Sequence, residues 1–188
     1  MYNNKEIVDN LILKIEKGEE ISPFLFLWWN KELLASEVKT IALEIFKKLE
    51  IPSTYLFTLE DLGESIKISE IKKFLEPSTL NTPYKIQIFF IENISRMTLS
   101  AANSSLKILE EPGSTNLILL SDTSESMILD TILSRVQIQK LGWNNISKRD
   151  EFYISMLSSY LKEGSTEILS YFFRNKLEKE DYTKFLEN

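Results

Sequence analysis

Five short strand-like runs, separated by stretches with helical spacing, constrain this chain more than any other feature. Phe24-Leu25-Phe26-Leu27-Trp28-Trp29, Thr54-Tyr55-Leu56-Phe57, Ile86-Gln87-Ile88-Phe89-Phe90-Ile91, Leu117-Ile118-Leu119-Leu120 and Val136-Gln137-Ile138-Gln139 read as strands. The first is continuously apolar, as a strand covered on both faces requires. Helical periodicity appears in Ile7, Leu11, Ile12 and Ile15, then in Val38, Ile41, Ala42, Ile45, Phe46 and Leu49, then in Ile68, Ile71, Phe74 and Leu75. The stretch from Thr98 to Leu109 is predicted helical, with Thr98 as N-cap and Ala101, Ala102, Ser105, Leu106 and Leu109 on one face. Gly18, Pro52, Pro77 and the turn Glu111-Pro112-Gly113 punctuate the pattern. Strands alternating with helices predict an α/β fold, a parallel sheet with helices on both faces.

The pattern changes after Gly142. Glu151 to Leu161, Glu167 to Leu177 and Asp181 to Leu186 have helical spacing with no strand run between them. A division follows: residues 1–142 as an α/β core, residues 143–188 as a small helical domain, and Gly142-Trp143-Asn144-Asn145 as the seam.

Two residue types are missing from the 188-residue chain: there is no Cys and no His. Disulfides, thiolate catalysis, Cys or His zinc sites and a Ser-His-Asp triad are excluded. The net charge of −6 also argues against a chain that grips nucleic-acid phosphates for itself, since such proteins carry a basic excess. No apolar run approaches membrane-span length. The start, Met1-Tyr2-Asn3-Asn4-Lys5-Glu6, lacks the pattern of a secretory signal, so a cytoplasmic location is expected.

Three segments in order carry a family resemblance. The first is Met97 followed by Ala101-Ala102-Asn103-Ser104-Ser105-Leu106-Lys107-Ile108-Leu109-Glu110-Glu111-Pro112. The second is the strand Leu117-Ile118-Leu119-Leu120-Ser121, and the third is Ile128-Leu129-Asp130-Thr131-Ile132-Leu133-Ser134-Arg135-Val136-Gln137. Together they resemble the AAA+ module of bacterial clamp-loader subunits. There the helix reads Ala-Asn-Ala-Leu-Leu-Lys-x-Leu-Glu-Glu-Pro, the strand carries the sensor 1 position, and the third segment reads Leu-Pro-Thr-Ile-x-Ser-Arg-Cys-Gln. The resemblance is strongest over about residues 65–141. It implies a P-loop-NTPase-like sheet followed by a helical lid.

The departures point within that family to the delta-prime type of DNA polymerase III. A P-loop needs glycines so that backbone amides can close on phosphate, and a Lys to reach it. No glycine lies between Gly18 and Gly63; Glu37-Val38 precede Lys39-Thr40, the nearest Lys-hydroxyl pair, and Glu32 and Glu37 would repel phosphate. Glu92-Asn93 stands at the Walker B position, where hydrolysing relatives have Asp-Glu. Glu92 retains a carboxylate for Mg²⁺, but Asn93 has no basic group for water. The zinc-binding cysteines of many relatives are absent, and Val136 replaces the Cys of Ser-Arg-Cys. Neither bound ATP nor zinc is expected. The chain is expected to lack the helical collar of such subunits, either as a fragment or as a shortened form.

By this resemblance Arg135 is an arginine finger, pointing in trans at ATP held by a neighbouring subunit, and Ser134 shapes the turn that aims it. A planar guanidinium suits that task because it neutralises charge developing on the γ-phosphate. The bland reading of Arg135 is a surface arginine ending a short helix. Asn103 and Lys107 read equally as family packing or interface positions and as a polar helix face. Glu110-Glu111 reads as a solvated helix end rather than an acid–base pair, and Trp28-Trp29 as core rather than a base-stacking platform. The partners implied are the gamma/tau-like ATPase subunits and the delta subunit, with the sliding clamp and primed DNA reached through the assembly and no membrane. Two other readings stay open: a divergent AAA+ ATPase with an unorthodox nucleotide site, and an interaction module that kept only the fold.

Overall fold

The computed structural model describes residues 4–28, 30–80 and 82–141, with the backbone alone for residue 32. The expected helical domain and its seam, together with Trp29, lie outside the described residues. All described residues fall within one compact unit.

Helix α1 (Asn4–Glu16) buries Ile7, Val8, Leu11 and Ile15. It ends where Gly18 adopts φ +67°, with the Gly18 amide donating to Ile15 O and the Glu19 amide to Lys14 O. That pair of bonds is a Schellman cap, which needs the left-handed conformation that glycine adopts without strain. Strand β1 (Phe24–Leu27) is followed almost at once by α2 (Lys31–Leu49). Asn30 caps α2, its side-chain oxygen accepting from the Leu33 amide at 3.0 Å. The helix therefore starts seven residues before the first periodic apolar position, Val38, and the strand stops at Leu27 rather than running through the tryptophans. Cap chemistry overrides apolar continuity there. Trp28 packs against the core on the α1/α2 side, as expected.

Strand β2 (Leu56–Leu59) begins two residues later than the expected Thr54. Pro52 at φ −61° starts a 3₁₀ turn over Ser53–Tyr55, and its carbonyl accepts from the Tyr55 amide at 3.1 Å. Helix α3 (Ile68–Leu75), strand β3 (Gln87–Ile91), helix α4 (Leu99–Glu110) and strand β4 (Asn116–Asp122) follow as the periodicity predicts. Thr98 caps α4 by accepting from the Ala101 amide at 3.2 Å. A one-turn helix α5 (Asp130–Leu133) and strand β5 (Gln137–Lys140) complete the unit.

The five strands are parallel in the order β2-β3-β4-β1-β5. Side chains alternate across the three central strands. Phe26, Ile88, Phe90, Leu117 and Leu119 face α1 and α2, while Leu25, Phe89, Ile91, Ile118 and Leu120 face α3, α4 and α5. Each such buried side chain contributes roughly 1.5–3 kcal/mol. Burial on both faces explains why these strands read as apolar runs rather than as alternation.

Candidate functional site

In an open α/β sheet the ligand crevice lies beyond the strand C-termini, between neighbours whose connections leave on opposite faces. Here those neighbours are β1 and β4. Strand β1 leads into α2 on one face, and β4 leads towards α5 on the other. Only residues 28–30 join β1 to α2, and none is glycine. The cavity between Lys31, Glu92, Asn93, Ser121 and Asp122 measures about 10 Å³. A single water needs roughly that much, and ligand pockets commonly span about 300–1,000 Å³.

The side chains around this crevice are committed to one another. Asp61, just past β2, has a fully buried carboxylate. Its Oδ2 pairs with Lys31 Nζ and accepts from Asn93 Nδ2 at 2.6 Å. Its Oδ1 accepts from the Gly63 amide at 2.8 Å and lies 3.1 Å from Arg96 Nε. Burial pushes the Asp61 carboxyl up, but the hydrogen bonds from Lys31, Asn93 and the Gly63 amide, with the Lys31 charge, hold it well below 3.8. Arg96 also donates from Nη1 to Gly63 O at 2.6 Å.

Glu92 belongs to the same cluster. Its Oε2 accepts from the Asp61 amide at 3.1 Å, and its Oε1 lies 3.0 Å from Lys39 Nζ. Both oxygens that would serve a metal are thus engaged within the chain. Burial lowers the Lys39 pKa, but its bonds to Glu92 and Glu60 outweigh that and raise it. Lys39 sits well inside α2, and Thr40 Oγ1 bonds back to Ser36 O at 2.9 Å, so neither forms a phosphate cradle. Glu37 accepts from Asn4 Nδ2 on α1. Asn93 holds φ +50°, a left-handed conformation that Asn tolerates better than most residues.

Sequence reasoning located Glu92 and Asn93 but missed their partner Asp61 and the cations that pair with it, Lys31 and Arg96. The Asp61-Leu62-Gly63 stretch carried a faint signal, because Asp followed two residues later by Gly favours an Asx turn.

Arg135 and Ser134 lie at the other end of the sheet. Arg135 precedes the N-terminus of β5, and Glu110 ends the helix that leads into the N-terminus of β4. Since the strands are parallel, this corner and the β1/β4 crevice sit at opposite ends of the strands. Arg135 Nε donates to Glu110 Oε1 at 2.7 Å and Nη2 donates to the same oxygen. Nη1 donates to Thr131 O at 2.7 Å and to Ser134 Oγ at 3.1 Å. A cleft of about 500 Å³ opens here, lined by Glu20, Ser22, Glu110, Pro112, Ser134, Arg135 and Gln137. Glu110 and Glu111 are both exposed at the end of α4, as a solvated helix end requires, and Glu110 in addition pairs with Arg135 across 25 residues. Asn103 and Lys107 are exposed on the outer face of α4.

Strand order, two-sided helical cover and the position of the crevice define an AAA+-like α/β module. A gamma-subunit-related protein of DNA polymerase III from Thermotoga maritima superposes with a TM-score of 0.60 at 25% identity, covering 79% of this chain and 49% of that one. A RuvB variant from Thermotoga maritima superposes with a TM-score of 0.55 at 13% identity, covering 83% and 51%, and supports the fold alone. Residues 34–144 match the family model described as DNA polymerase III, delta subunit, and the chain belongs to that family. Curated relatives named DNA polymerase III subunit delta' are 37% identical over 76 residues in Bacillus subtilis and 33% identical over 84 residues in Haemophilus influenzae. These matches cover 40% and 45% of this chain and 23% and 24% of the relatives, so the matched stretch is about a quarter of their length.

Proposed function

We propose that the chain acts as a delta-prime-like clamp-loader subunit in DNA replication, cytoplasmic, without hydrolysing ATP, and presenting Arg135 to ATP held by a neighbouring subunit. One observation carries this reading: Arg135 stands at the N-terminal end of the strands, opposite to the chain's own crevice at their C-terminal ends. A cation there has no access to a nucleotide in its own chain, but it opens onto a surface cleft of about 500 Å³. The short glycine-free junction before α2, and the engagement of Lys39, Glu92 and Asn93 with one another's surroundings, support the absence of hydrolysis. The partners in this reading are gamma/tau-like ATPase subunits and a delta subunit, with the clamp and primed DNA contacted through the assembly. Asn103 and Lys107, exposed at i and i+4 on α4, are offered as interface positions.

The test is Arg135→Ala in a reconstituted loader. A transition-state arginine in phosphoryl transfer is worth about 10³–10⁵ in rate at the site it serves. Total turnover should fall by less, because other sites continue. Arg135→Lys should rescue poorly, since an ammonium lacks the planar fork. Wild-type turnover in a complex that contains the variant subunit would refute the assignment.

A further inference from the structure

A guanidinium carries five N–H donors, and four of those on Arg135 are already used inside the chain. Two hold the local turn through Thr131 O and Ser134 Oγ, and two meet Glu110 Oε1. The Nε and Nη2 side of a guanidinium is a face suited to gripping a phosphate through two parallel bonds. Glu110 occupies that face. The arginine side chain is 29% exposed and the glutamate side chain 50%, so the pair opens to the cleft and is not locked in the core.

We propose that Glu110 is a counter-ion latch: it holds Arg135 in the orientation for an incoming phosphate and is exchanged for that phosphate when the neighbour's nucleotide arrives. This rests on the reading of Arg135 as an arginine finger. The division of labour follows from the geometry. Thr131 O and Ser134 Oγ hold Nη1 and stay in place, while the carboxylate holds the fork until a phosphate displaces it. The latch thus makes the neighbour's nucleotide compete with an internal carboxylate. Exposed ion pairs are weak, so the competition should cost about two- to fivefold in apparent affinity.

The experiment uses a reconstituted loader in which only the nucleotide site facing Arg135 remains active. Half-saturation is read by titrating a fluorescent ATP analogue with Mg²⁺, and turnover is read separately. Glu110→Gln should lower the half-saturating concentration about two- to fivefold and leave maximal turnover within about twofold, the pattern of a change in uniform binding. Glu110→Asp, which keeps the charge, should return half-saturation towards the parent value. In an Arg135→Ala background, Glu110→Gln should shift nothing. Unchanged or weaker binding in Glu110→Gln, or the same shift without Arg135, would overturn the latch while leaving the finger standing. Parent turnover in Arg135→Ala would overturn the finger and the latch with it.

Discussion

Gln87 and Asn116 stand opposite each other in the β3/β4 register and join through a buried side-chain hydrogen bond, Gln87 Nε2 donating to Asn116 Oδ1 at 2.8 Å. The remaining amide hydrogens reach outward. Gln87 Nε2 also donates to Pro77 O at 3.2 Å, and Asn116 Nδ2 donates to Ser78 O at 3.0 Å and to Pro112 O at 2.7 Å. One pair of side chains thus ties the sheet to the turn after α3 and to the end of α4, where Glu110 holds Arg135.

Removing one member leaves buried groups without partners. Asn116→Ala should destabilise the fold by about 1–3 kcal/mol, the cost of leaving buried polar groups unsatisfied. Urea unfolding followed by circular dichroism measures it, with the midpoint falling and the slope unchanged. A midpoint equal to that of the parent would mean that the amide pair contributes nothing net.

The Asp61 cage makes stability depend on pH on the acid side. Its folded pKa is depressed below 3.8. A depressed carboxyl contributes stability that is fully present above the unfolded value, about 3.9, and is lost as pH falls through the folded value. Asp61→Asn should therefore be less stable than the parent at neutral pH, and the gap should narrow as pH falls below about 4. Thermal unfolding of both proteins across that range checks it. A gap that stays constant with pH would show that the carboxylate charge is not what Lys31 and Arg96 stabilise.

Phe89 anchors the α3/α4 side of the sheet. It stacks on Phe57 with ring centroids 4.9 Å apart and meets Phe74 edge-on at 5.8 Å. Phe89→Ala should cost about 3–5 kcal/mol, the range for deleting a buried phenyl ring. Phe89→Leu keeps most of the volume and should cost less. Chemical denaturation of the two variants against the parent gives both values, and equal losses would show that ring stacking rather than volume dominates.

The order of strands and helices was legible in the chain because burial on both faces leaves a local mark. Phe24 to Leu27, Ile88 to Ile91 and Leu117 to Leu120 are apolar runs too short for helices. Boundaries were less legible where a cap or a proline acts at one residue, as at Asn30 before α2 and Pro52 before β2. Glu92 and Asn93 were found because they follow a strand directly. Asp61 was not, since its partners Lys31 and Arg96 lie 30 and 35 residues away in the sequence and nothing local announces them.

The α/β alternation, the glycine-free stretch after β1, the exclusion of cysteine and histidine chemistry, and the motif containing Ser134 and Arg135 are written in the order of residues alone. Those are properties of single segments, readable from spacing and residue type. Only the packed fold could show that Glu110 pairs with Arg135, that Lys39 answers Glu60 and Glu92, and that Arg135 lies at the strand end opposite to the β1/β4 crevice. Ion pairs form between whichever charges the folded backbone brings within a few ångströms, and parallel crossovers bring together residues that share no local pattern.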